Sequence, residues 1–110
     1  MTTISTEQHY LTFINVFTVA PEDQQQLVEL LTQATETVRK VPGFISSALH
    51  RGLDGTKVTM YAQWTNQDDY NKMRSNPAAA PFLEQALKIA RFEPGMYEVV
   101  TTFEPDSREA

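Results

Sequence analysis

The stretch FISSALHRGLDGTKVTMYAQW, residues 44–64, carries the strongest local signal in this 110-residue sequence. Asp54-Gly55 lies near its centre, and this dipeptide favours the two-residue turn of a β-hairpin. The turn separates two segments rich in apolar and β-branched residues, which predict strands at 44–51 and 57–64. The middle of the chain is therefore predicted to be an antiparallel strand pair.

A two-residue turn would also determine which residues of the two strands face each other. Leu49 would lie opposite Met60, and Ile45 opposite Trp64. His50 would point to the other face of the hairpin. A longer loop would change these pairings, because register depends on the turn.

The residues before the hairpin predict a strand followed by a helix. The strand covers residues 10–19 and carries apolar side chains on both faces, so it requires cover on both sides. Pro21 and the two acidic residues after it are typical of the first turn of a helix. Apolar residues at helical spacing continue to Val41, and Pro42-Gly43 is expected to end the helix.

The residues after the hairpin predict a broken helix and a fourth strand. Thr65 begins a sequence that resembles a capping box, and a short helix follows to about Ser75. Asn76-Pro77 interrupts it, and a second helical piece is predicted at 78–90. We expect Pro94-Gly95 to end that piece and residues 96–103 to form the last strand.

The predicted element order is β-α-β-β-α-β. With right-handed crossovers, this order gives an α+β, ferredoxin-like antiparallel sheet of strand order 4-1-3-2, with the helices on one face. The other face carries Ile14, Val16 and Tyr61 and needs a partner, for which a second copy of the chain is the simplest choice. We therefore predict a homodimer of single-domain chains, with the domain at 1–110 and its core at 10–104.

The composition excludes several classes of function. The net charge is −5 and the basic residues are dispersed, so we expect neither nucleic acid nor a membrane surface as a partner. The absence of cysteine excludes thiolate catalysis and the cysteine-based zinc motifs. No secretory signal and no apolar segment of about 20 residues is seen, which predicts a cytoplasmic protein. Dinucleotide, P-loop, serine-hydrolase and HExxH motifs are missing, and we expect no metal site.

Four polar or amphipathic residues are candidates for a site. Asn15 interrupts the apolar row of the first strand, where a buried amide must be hydrogen-bonded either to neighbouring backbone or to a ligand. Trp64 is either a core aromatic or a pocket wall whose indole N–H donates to a ligand. Tyr70 would place its hydroxyl in the same pocket or lie on the surface. His50 is either structural or a proton relay.

A second set of candidates is apolar and is expected to line the core or the substrate pocket. These residues are Phe17, Met60, Met73, Phe82 and Leu83. Their spacing alone does not separate the two roles.

Four segments together resemble the antibiotic biosynthesis monooxygenase family. They are FINVFTV at 13–19, VPGF at 41–44, Asp54-Gly55, and YAQW at 61–64. The resemblance runs over residues 11–103, and it implies a ferredoxin-like dimeric α+β barrel.

The resemblance also implies an activity. Family members of the polyketide type oxidise anthrone-like or hydroquinone substrates to quinones with dioxygen, and they use no flavin, haem or metal. It places Asn15 and Trp64 as catalytic residues at the substrate pocket, with Tyr70 as a further pocket residue. Met60 stands where several relatives carry a second asparagine, and Glu84 stands near the position of an arginine in a relative.

Two other functions remain open at this point. One is a non-catalytic dimeric module that binds a small aromatic ligand, and the other is a protein similar to the polyketide cyclases of related fold. The haem-degrading branch of the superfamily is disfavoured because no histidine follows His50 to serve as an axial ligand.

Overall fold

The computed structural model describes residues 1–106 of the chain. The strands are β1 (Leu11–Val19), β2 (Phe44–Arg51), β3 (Lys57–Trp64) and β4 (Ala90–Tyr97), and the helices are α1 (Gln24–Val38), α2 (Gln67–Arg74) and α3 (Ala80–Ile89). The strands form one antiparallel sheet of order β2-β3-β1-β4. Read from its other edge, this is the predicted order 4-1-3-2, and the ferredoxin-like α+β fold is confirmed.

The helices cover one face of the sheet, and two apolar clusters form there. The first joins β1, β3, β4, α1 and α3 through Phe17, Val19, Leu27, Leu30, Leu31, Val58, Ala86 and Ala90. The second lies near the start of β1 and consists of Ala62, Trp64 and Tyr70, with Phe13, Phe44 and Met73 packed against it. Both clusters contain residues from the alternating apolar row of β1, so the central strand links the whole core.

Helix α1 is shorter than its apolar spacing predicts. A 3-10 turn at Pro21–Asp23 precedes it, and the helix ends at Val38 rather than near Val41. The amide of Val41 donates to the carbonyl of Val38 at 2.9 Å, which tightens the last turn. Proline at position 42 disfavours helical geometry at the residue before it, so the α-helix ends early.

The hairpin register agrees with the prediction near the turn and departs from it at the far end. Leu49 pairs with Met60, but Phe44 rather than Ile45 pairs with Trp64, because the register shifts between Phe44 and Ser46. The predicted Ile45–Trp64 pair is therefore wrong. The bulge brings the ring of Phe44 edge-on to Trp64, with 5.4 Å between ring centroids.

The fourth strand is the main correction. It runs from Ala90 to Tyr97, with Pro94-Gly95 inside it, whereas the sequence predicts 96–103. Within the described part of the chain, β4 is an edge strand that pairs only with β1, and a proline is tolerated at an edge. Gly95 leaves room for Tyr97, since a Cβ atom there would lie 2.6 Å from the tyrosine hydroxyl oxygen.

Smaller differences affect the other helices. The side chain of Asn66, not of Thr65, caps α2, and its Oδ1 accepts from the amide of Asp69 at 2.9 Å. Helix α3 begins at Ala80, two residues later than predicted. None of the helices in residues 1–106 is long and apolar enough to span a bilayer. The single-domain assignment at 1–110 stays a prediction, and its last four residues lie outside the described part of the chain.

Candidate active site

A cavity of about 560 Å³ lies between the helix-covered face of the sheet and the helices. Every strand and every helix named above contributes to its lining, which is mainly apolar. Seven of the predicted site residues are among the lining residues: Asn15, Phe17, Met60, Trp64, Tyr70, Met73 and Leu83. The volume is within the range of pockets that bind small organic molecules.

Asn15 is the polar residue at the centre of the sheet. It lies in the middle of β1, with Met60 opposite it on β3 and Pro94 opposite it on β4. Its Oδ1 is buried and has no hydrogen-bond partner among residues 1–106. Neither neighbouring side chain can donate a hydrogen bond, and proline has no N–H. An unpaired buried acceptor costs about 1–3 kcal/mol, so the fold carries an amide that its own side chains leave unsatisfied.

Trp64 is held in a cluster of aromatic rings at the end of β3. Its side chain is 1 % exposed, and its ring contacts Phe44 and Tyr70 edge-on, the latter with 5.9 Å between centroids. Phe13 also packs against Tyr70, with 4.7 Å between ring centroids. Edge-to-face contacts with two rings restrict the orientation of the indole. Its N–H makes no hydrogen bond with another described residue, so it remains available to a molecule in the cavity.

Helix α2 places Tyr70 against this cluster. The Asn66 cap fixes the start of the helix, and Tyr70 lies one turn later with 6 % of its surface exposed. Burial raises the pKa of Tyr70, while the nearby charge of Arg74 acts in the opposite direction. The phenol is therefore neutral at neutral pH, and its hydroxyl can donate a hydrogen bond.

Two predicted site residues lie outside the cavity lining. Phe82 is on α3 beside the lining residue Leu83 but does not itself line the cavity. His50 is exposed on β2, opposite Thr59. The proton-relay role predicted for His50 therefore has no support from this geometry.

The exposed members of the lining mark the opening of the cavity. They include Leu87 of α3 and Phe92 and Met96 of β4, together with the charged residues Arg74 and Glu84. Sequence reasoning missed the β4 residues because it places the strand six residues too late. It also missed Arg74, although its helical spacing of four from Tyr70 places both side chains on one side of α2.

No group of three or more histidine, aspartate or glutamate side chains in residues 1–106 is arranged to hold a metal ion. The polar groups available to a molecule in the cavity are thus an amide, an indole N–H, a phenol and the charged side chains at the opening. Such groups can orient an aromatic molecule and hold its oxygen atoms.

Comparisons with known proteins give a consistent result. A family model described as antibiotic biosynthesis monooxygenase matches residues 11–85. Tetracenomycin-F1 monooxygenase from Streptomyces glaucescens is 38% identical over 110 residues, which cover 99% of this chain and 98% of that protein.

Solved structures of similar fold include two from Streptomyces. A monooxygenase from the gene ActVA-Orf6 of Streptomyces coelicolor, in complex with nanaomycin D, has a TM-score of 0.78 and 28% identity, covering 90% of this chain and 95% of that one. SnoaB, a cofactor-independent oxygenase from Streptomyces nogalater, has a TM-score of 0.76 and 24% identity, covering 89% and 99%.

Proposed function

The chain belongs to the antibiotic biosynthesis monooxygenase family, and we propose that it is a cofactor-independent monooxygenase acting on an electron-rich aromatic compound. The substrate would be an anthrone, a polyketide phenol or a quinol, and the product a quinone. The relative of 38% identity carries the name of a monooxygenase, which supports the reaction class. The apolar cavity supports an aromatic substrate.

The observation that carries the proposal is the unsatisfied amide of Asn15. A buried polar group without a partner is unusual and calls for an explanation. A substrate hydroxyl in the cavity would donate to Oδ1 and so supply the missing partner, and rotation of the amide would instead present its N–H to a substrate oxyanion. The cost of leaving this group unpaired is then offset when substrate binds.

In the proposed chemistry the substrate itself supplies the electrons that reduce dioxygen. An anthrone that loses a proton from its central methylene group becomes an electron-rich anion, which transfers one electron to dioxygen. The resulting substrate radical and superoxide combine to a peroxide anion, which takes back a proton to become a hydroperoxide, and loss of water leaves a carbonyl. In total, one oxygen atom of dioxygen becomes the carbonyl oxygen, and the other leaves as water with the two methylene hydrogens. The protein has to favour the anion and exclude bulk water from the intermediates.

Three side chains have roles in this scheme. Asn15 hydrogen-bonds the oxyanion or the peroxide intermediate. Trp64 forms a rigid wall and donates its N–H to a substrate oxygen. Tyr70 is neutral and relays a proton to the departing oxygen, while Phe17, Met60, Met73 and Leu83 pack against the ring system.

The proposal extends to the assembly. Ile14, Val16 and Tyr61 are only half-buried on the face of the sheet that the helices leave open. A homodimer in which two such faces meet would bury them, and such an interface is isologous.

Oxygen consumption tests the proposed activity. Protein treated with a chelator is mixed with a panel of anthrones and hydroquinones, and uptake is corrected for autoxidation. We expect uptake that Trp64→Phe lowers about a hundredfold, because a donor to developing charge is lost while most of the ring packing remains. Lys72→Gln, on the exposed side of α2 and outside the cavity lining, is the control and should keep the parent rate.

Three results would contradict the proposal. Uptake lost on chelation would indicate a metal-dependent reaction. Equal uptake by the parent and Trp64→Phe would exclude Trp64 from the site. Tight binding of the aromatic compounds without any uptake would favour the non-catalytic binding module instead.

A further inference from the structure

Few charged residues line the cavity, and those that do lie at its opening. Among the residues lining it in the described part of the chain, Arg74 and Glu84 are the charged residue types. Arg74 lies in the last turn of α2, and Glu84 lies on α3. Both are exposed and belong to the opening, so a bound molecule would meet one positive and one negative group there.

The guanidinium of Arg74 has no role in holding the described fold together. It makes no hydrogen bond or ion pair with another described residue, and Glu84 lies too far away to form a salt bridge with it. By contrast, Arg39 pairs with Glu36 at 3.3 Å, and Arg51 donates to Gln25 at 2.6 Å. Although the chain has a net charge of −5, this guanidinium at the cavity opening has no acidic partner among the described residues and can therefore bind an anionic ligand.

The field of Arg74 extends into the cavity. Arg74 is four residues after Tyr70, so both project from one side of α2. The guanidinium acts to lower the pKa of the Tyr70 phenol, in opposition to burial. A substrate oxygen near this phenol would be exposed to the same positive charge.

We propose that Arg74 recognises an anionic oxygen of the aromatic substrate, either a carboxylate carried by the ring system or a ring phenolate. The planar guanidinium forms two parallel hydrogen bonds with a carboxylate and a single one with a phenolate. This interaction would orient the ring system with its acidic group beside α2 and the remainder along β1, where Asn15 lies. The inference rests on the proposed function and deepens it.

Glu84 gives the opening a second selective element. Its carboxylate repels an acidic group placed beside α3, so the two charges together favour one orientation of an acidic substrate over the reverse one. Glu84→Gln should raise the affinity for an aromatic acid about twofold, since an exposed charge has a weak effect.

Binding of two matched dyes tests the role of Arg74 without requiring turnover. The dyes are danthron, a dihydroxyanthraquinone, and rhein, which has the same ring system with a carboxylic acid added. Titrations are followed by quenching of Trp64 fluorescence in the full chain. We expect the parent to bind rhein about tenfold more tightly than danthron, and Arg74→Gln to remove that preference, because a hydrogen bond between charged groups is lost.

Two further variants separate charge recognition from structural damage. Arg74→Lys keeps the charge and should restore part of the preference for rhein. Lys72→Gln removes a charge from the same last turn of α2 but from outside the cavity lining, and it should leave both affinities unchanged. Repeating the danthron titration below and above the pKa of the dye's phenol distinguishes binding of a phenolate from binding of a carboxylate. If ionisation of danthron strengthens its binding to the parent but not to Arg74→Gln, the group that Arg74 binds is the phenolate.

The outcomes separate this inference from the proposed activity. If Arg74→Gln binds both dyes as the parent does, or if the parent binds neither dye, the inference is wrong even when oxygen uptake is observed. If the rhein preference depends on Arg74 but no substrate supports oxygen uptake, the anion site stands and the proposed oxygenation falls.

Discussion

At the scale of single residues, Asn15 combines a stability cost with a chemical use. The neighbours that leave its Oδ1 unpaired, Met60 and Pro94, also line the cavity. Apolar substitution of an unsatisfied buried polar group is neutral or stabilising. An asparagine that served folding alone would be expected to have its amide hydrogen-bonded. Replacing Asn15 should therefore raise the stability of the fold and lower turnover.

Asn15→Leu tests this opposition. We expect the free energy of unfolding to rise by about 1 kcal/mol, because the unpaired acceptor is removed from the core. We expect oxygen uptake to fall about a hundredfold, because a group that stabilises developing charge is lost. Urea denaturation and oxygen-electrode rates measure the two effects, and Asn71→Leu on the exposed side of α2 is the control. Unchanged uptake would show that Asn15 takes no part in the reaction.

Tyr70 leads to a pH dependence of stability. Since burial raises its pKa in the folded state, folding favours the protonated phenol. The free energy of unfolding should be insensitive to this group below the unfolded-state pKa of about 10 and should fall as the pH rises above it. Tyr70→Phe is expected to reduce that alkaline fall, as measured by urea denaturation at increasing pH.

The control for Tyr70 is Tyr97→Phe, which removes the same hydroxyl from a position that is 53% exposed. If the two variants lose stability with pH in the same way as the parent, burial of Tyr70 does not govern its ionisation.

Part of the site was predictable because strand periodicity is simple. Alternation along β1 puts Asn15 in the row of Phe13 and Phe17, and the structure places all three at the cavity. Trp64 joins them because β3 is the neighbour of β1. Arg74 was not predicted because an arginine in the last turn of a helix is also typical of a simple dipole interaction, and only the tertiary packing turns it toward the cavity.

At the scale of elements, Gly43 connects both halves of the chain beside the aromatic cluster. Its φ of +92° is in the region that favours glycine, and its carbonyl accepts from the amide of Thr65 at 2.8 Å and from the Thr65 hydroxyl at 3.1 Å. These bonds tie the α1–β2 connection to the start of α2. The orientation of α2, and with it the position of Tyr70, therefore depends on this glycine.

Gly43→Ala should destabilise the fold more than Gly55→Ala. Both glycines have a positive φ, for which alanine costs about 1 kcal/mol. A Cβ atom at Gly43 would also lie 2.5 Å from Cβ of Asp69, whereas at Gly55 the nearest atom, Cβ of Pro21, is at 3.4 Å. We expect losses of about 3 and about 1 kcal/mol, since overpacking adds to the first.

Urea denaturation of the two alanine variants measures this difference. Equal losses would mean that α2 moves freely at its start and that the close contact with Asp69 does not restrain it. Adding Asp69→Ala to Gly43→Ala should recover part of the loss, because the crowded carboxylate is removed.

The elements themselves were predicted unevenly for physical reasons. The Asp54-Gly55 turn determines the local register of β2 and β3, and the Leu49–Met60 pair that it predicts is confirmed. The sequence predicts that Pro94-Gly95 ends the helical piece before the last strand. In an edge strand, however, proline is tolerated because its missing N–H need not pair with a neighbouring strand. Edge positions are a property of the whole sheet and cannot be read from the local sequence.

At the scale of the whole molecule, the sheet has one face covered by helices and another face with little cover. The N-terminal residues cover a part of it, since Gln63 donates to the carbonyl of Thr3 at 2.7 Å and the Thr2 hydroxyl reaches the carbonyl of Ser47 at 3.5 Å. Ile14 and Val16 stay half-buried on the central strand. An antiparallel sheet with one apolar and one solvated face would require no partner, but here both faces of β1 are apolar.

Ile14→Lys tests whether a second copy covers this face. The parent is expected to elute with a mass of twice the 12.5 kDa of one chain in light scattering, and the variant with the mass of one chain. An isologous interface would bury the introduced lysine twice, once from each chain, so the desolvation cost is counted twice. Gln33→Lys adds the same charge on the exposed side of α1 and should stay dimeric. A folded Ile14→Lys variant, as judged by circular dichroism, that kept the dimer mass would place the interface elsewhere.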